Sequence, residues 1–324
     1  VEDLIKRLGK DPAKHKTINF WGGEPFVNWD FCKAIIDGFK DDETYSFFFY
    51  TNGIYIPKYI EELKKYNEEF GSQRFEGNAR LIIQISFDGN HLTDTIRVDK
   101  SGKGTTKRVV EAYNMLRENG IETSLKSVIS SEGFQHLFSS FKDLYSLQGH
   151  YNPTPDLWSD SSPEEFEQEL EVLGQELEKI AGYIYANNLD PEVFSWFRKS
   201  RAICGAGAAM VSVDLDGSMY PCHGCMYGGS DEHKLGHFDN FTEVKEKTMK
   251  FYASARKDLP LQCQECDVNF CMKCNIANYQ KSEKEKYEDK WTDYQANWQV
   301  CKLFKFADKY NKTIRYAMAT KGGQ

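Results

Sequence analysis

Residues 17–25 read TINFWGGEP and residues 81–89 read LIIQISFDG, and these two stretches decide the fold. Each is a short apolar, β-prone run that stops at a polar, glycine-containing turn, the pattern of a buried strand. Working outward, 45–51 (YSFFFYT) is a third such run, stopped by Asn52-Gly53, and 121–129 is a fourth. Helix-like segments lie between them. Residues 29–40 carry Phe31, Ile35, Ile36 and Phe39 on one side, and the pattern predicts further helices over 57–70, 104–119 and 135–147. Val1 to Leu8 already reads as the middle of an amphipathic helix, and the chain opens without methionine, so residues upstream are expected. Strands and helices in alternation predict an α/β fold with a parallel sheet or barrel, which takes its ligands at the carboxyl ends of the strands.

Beyond this region, 149–162 (GHYNPTPDLWSDSS) is turn-rich and reads as a connection. Ser162-Pro163-Glu164-Glu165 then opens a helix expected to run to Asn187, with Ser at the N-cap, Pro at the first turn and acid near the positive helix end. From Cys204 onward the predicted elements are short and glycines frequent. A content of 40% hydrophobic and 14% aromatic residues is that of a globular chain. A net charge of -8 supplies no global basic field for nucleic acid, and runs such as 281–290 (KSEKEKYEDK) read as solvated helix faces. The apolar stretches fall short of the roughly 20 residues a membrane helix needs. No secretory leader pattern opens the chain, so the expectation is a cytoplasmic protein with no membrane or nucleic-acid partner.

The nine cysteines are unevenly placed: Cys32 stands alone on a helix and reads as core, while the other eight fall between 204 and 301. In a reducing compartment such a cluster points to metal rather than disulfides. The order is Cys204, Cys222, Cys225, then Cys263-x2-Cys266, Cys271-x2-Cys274 and finally Cys301. A two-residue gap lets both thiolates reach one metal centre while backbone N–H groups point at the sulfurs. Eight thiolates suffice for two four-ligand sites. Zinc and iron–sulfur centres both fit that spacing, and unliganded core cysteines are the third reading.

The arrangement Cys204…Gly217-x4-Cys222…Cys263-x2-Cys266-x4-Cys271-x2-Cys274…Cys301 resembles the SPASM domain, the auxiliary-cluster module of radical S-adenosylmethionine (SAM) enzymes. Residues 204–222 look like its opening hairpin and 234–238 (KLGHF) like its linker, although the family's central gaps of two, five and three are here two, four and two. The resemblance implies that Cys204, Cys222 and Cys274 bind a first auxiliary 4Fe–4S cluster and that Cys263, Cys266, Cys271 and Cys301 bind a second. Cys225 is taken as the fourth ligand of the first, the alternative being a free thiol beside an open iron. Residues 20–25 (FWGGEP) match the family's GGEP element, so Gly22, Gly23 and Glu24 are implied to receive the SAM amino group: glycines admit a close ligand, and a carboxylate suits an ammonium. Thr51 and Asn52 sit at the next strand end. Ser86 and Asp88 end the third strand, where family members contact the SAM ribose or methionine moiety. Asp94 and Arg97 resemble a D-x-x-R element, read as a structural salt bridge or as catalytic, and Lys126 faces either the site or solvent.

One family element is not in the sequence. The C-x3-C-x2-C motif for the SAM-cleaving cluster would precede GGEP, yet only 21 residues precede Gly22 and none is cysteine. The expectation is therefore a partial (β/α)6 TIM-like radical SAM barrel, its first strand and cluster loop missing, followed by a small cysteine-rich SPASM domain. The expected divisions are 1–150 partial barrel, 151–200 end of barrel and linking helix, 201–305 SPASM domain and 306–324 tail. The implied function is modification of a peptide or protein by hydrogen abstraction, using SAM, two auxiliary 4Fe–4S clusters and a reductant such as flavodoxin or ferredoxin. The sulfatase-maturase branch has an aspartate base directly after the cysteine equivalent to Cys222; here that residue is His223, which can take a proton near neutral pH or hydrogen-bond a cluster sulfur. Alternatives are a sulfatase-maturase-like enzyme, a catalytically dead homologue acting in electron transfer or peptide binding, and a zinc-stabilised binding module.

Overall fold

The structure, a computed structural model, describes residues 2–8, 15–71, 74–75, 77–156, 161–199, 205–207, 210–226, 233–239, 259–271, 273–274 and 298–321. The chain divides into two compact units, Val1–Ser195 and Trp196–Gln324.

The first unit opens with α1 (Glu2–Leu8), β1 (Lys16–Phe20), α2 (Trp29–Phe39), β2 (Tyr45–Thr51) and α3 (Ile56–Phe70). A short antiparallel pair, β3 (Arg74–Phe75) and β4 (Asn78–Ala79), leads into β5 (Leu81–Ser86). Then come α4 (Asn90–Ile96), α5 (Thr106–Glu118), β6 (Glu122–Ile129), α6 (Leu137–Gln148), β7 (Pro153–Pro155) and α7 (Pro163–Ala186). Five strands form one sheet in the order β1-β2-β5-β6-β7, every pair parallel, as expected for the sheet of a partial (β/α)6 barrel. The register sets Phe20 opposite Phe49, Thr51 opposite Ile85 and Ser86 opposite Lys126, so the carboxyl ends of adjacent strands lie side by side.

Alternation along the strands separates two faces. Phe47, Phe49, Ile83 and Ile85 are fully buried beneath the helices, Phe47 stacking on Phe70 and Phe49 on Phe20 and Phe26. Phe48, Tyr50, Gln84 and Ser86 are half-buried on the opposite, open face. Removing a buried ring such as Phe47 would cost about 3–5 kcal/mol, so this aromatic layer fixes the sheet against its helices. At α7 the expected cap is complete: Ser162 Oγ accepts from Glu165 N, and the Glu165 carboxylate accepts from Ser162 N.

Two features differ from the sequence reading. Pro153-Thr154-Pro155 lies in the stretch read as a connection, yet it pairs in parallel with Ser127–Ile129. Proline cannot donate to a ladder, which confines such a strand to a sheet edge and hides it from pattern reading. The helix expected over 104–119 is preceded by a separate short helix, α4, directly after Gly89.

The second unit holds a three-stranded antiparallel sheet, β10 (Gly236–His237), β9 (Ser218–Tyr220) and β8 (Ser212–Val213) in that order. A one-turn helix α8 (Leu261–Gln264) and a long helix α9 (Trp298–Lys321) follow among the described residues. On α9, Val300, Leu303, Phe304, Ala307, Asn311 and Ile314 are buried at helical spacing, and Trp196 and Phe270 meet Phe304 edge-on. The division expected between 305 and 306 therefore falls inside one continuous helix. No described helix is long and apolar enough to cross a membrane.

Candidate functional site

At the carboxyl ends of β1 and β2 a carboxylate organises the backbone. Glu24 caps a 3-10 turn, Pro25–Asn28, its Oε1 accepting from Phe26 N (3.2 Å) and Thr51 Oγ1 (2.7 Å). Its Oε2 accepts from Asn52 N (2.8 Å). Thr51 Oγ1 in turn receives Gly53 N, and Asn52 Oδ1 receives Ile54 N, so the turn after β2 is locked onto Glu24. A carboxylate offers about four acceptor positions; three are taken here by neutral donors, and one is left for a cation. Gly22 (φ +138°) and Gly23 are exposed, and a Cβ on either would meet nothing within 4 Å. Open space thus lies directly beside the half-buried carboxylate. The structure brings Gly22, Gly23, Glu24, Thr51 and Asn52 together.

Ser86 ends β5 half-buried, opposite Lys126. Asp88 goes elsewhere. It is 1% exposed, accepting from Val128 N at Oδ1 (2.8 Å) and from Arg97 Nε at Oδ2 (2.5 Å), while its own N–H donates to Thr93 Oγ1. It staples the turn after β5 to β6, a structural use of the carboxylate. Arg97 therefore pairs with Asp88 and not with Asp94, the partner suggested by D-x-x-R. It lies past the end of α4, whereas Asp94 accepts from Thr106 N and packs against Gly104. Lys126 Nζ donates to the carbonyl of Asn152. Sequence reasoning missed the aromatic edge formed by Trp21, which is 44% exposed, against Tyr50 at 4.0 Å; an aromatic directly before Gly-Gly was the available signal.

In the second unit the turn Asp214–Gly217 joins β8 to β9. Gly217 has φ +85°, and a Cβ there would collide with His237 Nε2 and the Phe238 ring, so only glycine fits. Asp216 accepts from Ser218 N and Oγ, which holds its carboxyl below the usual range. This packing leads β9 straight into Cys222 and Cys225, both buried, with sulfurs 3.8 Å apart across a 3-10 turn. The Cys225 thiol hydrogen-bonds Cys222 and holds its pKa down, whereas the same bond and burial push Cys225 up. Cys274 packs against the same cluster. Three thiols assigned to the first centre thus gather; Cys204 lies outside the described residues. Burial also depresses the pKa of His223.

Cys263, Cys266, Cys271 and Cys301 line one cavity of about 490 Å³, together with Val268, Lys273, Trp298, Lys302, Phe304 and Lys305. The turn between Cys271 and Cys274 puts Lys273 at φ +49° and aims its N–H at Cys271 Sγ (3.4 Å). Burial raises the Cys271 pKa and pushes that of Cys301 up to about 12. Desolvated thiols of this kind deprotonate when a cation takes the site. Among the described residues no three His, Cys, Asp or Glu side chains converge on the position of a single metal ion, and no described cysteine is in a disulfide. Four thiols spaced around a cavity suit a cluster, in which each iron takes one thiolate.

The family model of the radical SAM superfamily matches residues 1–131. Over these 131 of its 324 residues the chain is similar to the radical SAM superfamily. Similar curated proteins include the radical SAM cyclopropyl synthase TigE of Paramaledivibacter caminithermalis, 27% identical over 155 residues, which are 47% of this chain and 29% of TigE. The serine-type anaerobic sulfatase-maturating enzyme of Klebsiella aerogenes is 23% identical over 288 residues, 83% of this chain and 69% of that enzyme. The match therefore spans less than a third of TigE and about two thirds of the maturase. Among solved structures, native anSMEcpe with bound AdoMet has a TM-score of 0.70 at 17% identity, covering 98% of this chain and 88% of that one, which shows a shared fold. The cofactors of the superfamily are SAM and 4Fe–4S clusters. The residues present fit both: open space at Gly22 and Gly23 beside the remaining acceptor position of Glu24 suits the SAM ammonium, and the four-thiol cavity suits a cluster.

Proposed function

We propose that this chain carries the SAM-binding sheet and the auxiliary-cluster domain of a radical SAM/SPASM enzyme that modifies a peptide or protein. The observation that carries the reading is the meeting of Cys263, Cys266, Cys271 and Cys301 around one cavity in a chain whose strand ends hold the Glu24 arrangement. The family motif C-x3-C-x2-C does not occur in these 324 residues, so the activity is proposed for a protein in which such a motif accompanies them.

SAM held here beside a reduced 4Fe–4S cluster would supply the chemistry of hydrogen abstraction from the substrate. Glu24, held in orientation by Thr51 and the Asn52 N–H, would receive the SAM ammonium. Gly22 and Gly23 admit the ligand to the backbone, and Ser86 offers a hydroxyl at the next strand end. Asp88 ties the turn after Ser86 to Val128 and Arg97, and so acts as a positioning residue. Cys222, Cys225, Cys274 and Cys204 would hold the first auxiliary cluster, and Cys263, Cys266, Cys271 and Cys301 the second. His223, beside Cys222, is the candidate base.

Anaerobic incubation of the motif-bearing protein with SAM, a low-potential reductant and candidate peptides tests the reading. It predicts 5′-deoxyadenosine together with a mass change in one peptide. SAM turnover that alters no peptide and only a free small molecule would overturn it. Relatives named as sulfatase-maturating enzymes favour a second reading, in which the peptide is a sulfatase segment. A sulfatase-derived peptide in the same assay separates the two.

A further inference from the structure

Helix α9 carries six basic residues, Lys302, Lys305, Lys309, Lys312, Arg315 and Lys321, against one acidic residue, Asp308, in a chain whose net charge is -8. Lys302, Lys305 and Lys309 recur at i, i+3 and i+7, the spacing of a single helical face. That face lies opposite the buried one formed by Val300, Leu303, Phe304 and Ala307. Lys305 and Lys309 are exposed, and Lys302 lies over the ring of Trp298, itself 39% exposed. Lys312 is committed to Asp267 and Asp308 at 2.7 Å each and is left out. The stripe begins one residue after Cys301, and Lys302, Lys305 and Trp298 line the four-cysteine cavity.

We propose that this Lys302–Lys305–Lys309 face is the docking surface for a small acidic protein that carries a one-electron redox group. The inference rests on the reading of the cavity as a cluster site. Charge complementarity selects the partner: a compact positive stripe with an aromatic at its edge, on an otherwise acidic protein, attracts a negatively charged patch and steers its approach. The three lysines span about 10 Å along the helix, too short to track a nucleic-acid backbone that the rest of the chain repels.

The test measures binding of oxidised flavodoxin, as a probe, to the anaerobically purified chain by surface plasmon resonance, with iron content and melting temperature recorded in parallel. Wild type should bind, with affinity falling steeply between ~0.05 and ~0.3 M salt. Lys302→Gln/Lys305→Gln/Lys309→Gln should weaken binding at least about tenfold, and Lys309→Glu, which lies off the cavity, by about as much. Iron and melting temperature should stay at wild-type values in Lys309→Glu. Lys64→Gln/Lys107→Gln, in the first unit, should bind as wild type does. Wild-type affinity in both α9 variants, salt-independent binding, no flavodoxin binding, or binding of a short RNA duplex in its place would each overturn the proposal. Iron content reports separately on the cluster reading: an iron-loaded chain that ignores flavodoxin sinks the docking face alone.

Discussion

Replacing Asp88 by Asn changes one charge and almost no volume, yet the structure predicts a large effect. The carboxylate is 1% exposed and bonds Arg97 Nε at 2.5 Å and Val128 N at 2.8 Å. An asparagine has one acceptor oxygen, so its NH2 group must face either the Arg97 or the Val128 donor. Removing one partner of a fully buried pair costs about 3–5 kcal/mol. The Arg97 side chain keeps 32% exposure, so water recovers part of its loss, and about 2–3 kcal/mol is the expected cost. In a unit of this size that lowers Tm by roughly 5–10 °C. Thermal unfolding of the chain followed by far-UV circular dichroism reads the shift. Adding Arg97→Gln to Asp88→Asn should cost less than about 1 kcal/mol more, since the pair is already broken. A variant that melts within about 1 °C of wild type would refute the reasoning. If that variant also lost SAM binding in the motif-bearing protein, Asp88 would return to the role of a ligand.

Three further outcomes follow from other sites. Glu24→Gln keeps an acceptor for Thr51 and Phe26 but withdraws the charge, so SAM affinity in the motif-bearing protein should fall about 10–100-fold with auxiliary iron unchanged, as equilibrium dialysis would show. Gly217→Ala forces a side chain into left-handed backbone against His237 and Phe238, and should cost more than about 1 kcal/mol and lower the iron retained by the second unit on desalting. Asp99, held by Ser101 and Lys103, has its pKa lowered from 3.8 to about 2. A depressed carboxylate contributes stability above its unfolded pKa and loses it as pH falls through the folded one. Amide protection in the 97–105 loop should therefore hold down to about pH 4 and decline toward pH 2, and Asp99→Asn should abolish that dependence.

Much of the first unit was legible because its signals are local. Apolar runs with turn stops located four of the five strands of the sheet, and Ser162-Pro163 announced α7. The fifth strand, Pro153–Pro155, was hidden because proline reads as a connection until a neighbouring edge is seen. At the site, Gly22-Gly23-Glu24 stood out as a motif, but that Glu24 is held by Thr51 and Asn52 from the next strand depends on register, which the sequence does not display. Arg97 was misleading for a similar reason: spacing offered Asp94, whereas the chain bends after Ile96 and delivers the guanidinium to Asp88. The cysteine spacing suggested two centres, and the fold collects four of those thiols around one cavity and brings Cys225 and Cys274 beside Cys222. The lysine stripe of α9 escaped notice because residues 306–324 were read as a tail and not as part of a helix.

The central claim is that the cysteines hold iron–sulfur clusters, and direct metal analysis tests it most simply. The chain purified without oxygen should be brown and contain about eight iron and about eight acid-labile sulfide, with Cys271→Ser/Cys301→Ser falling to about four of each. A colourless protein carrying zinc, or one carrying iron without labile sulfide, would contradict the account.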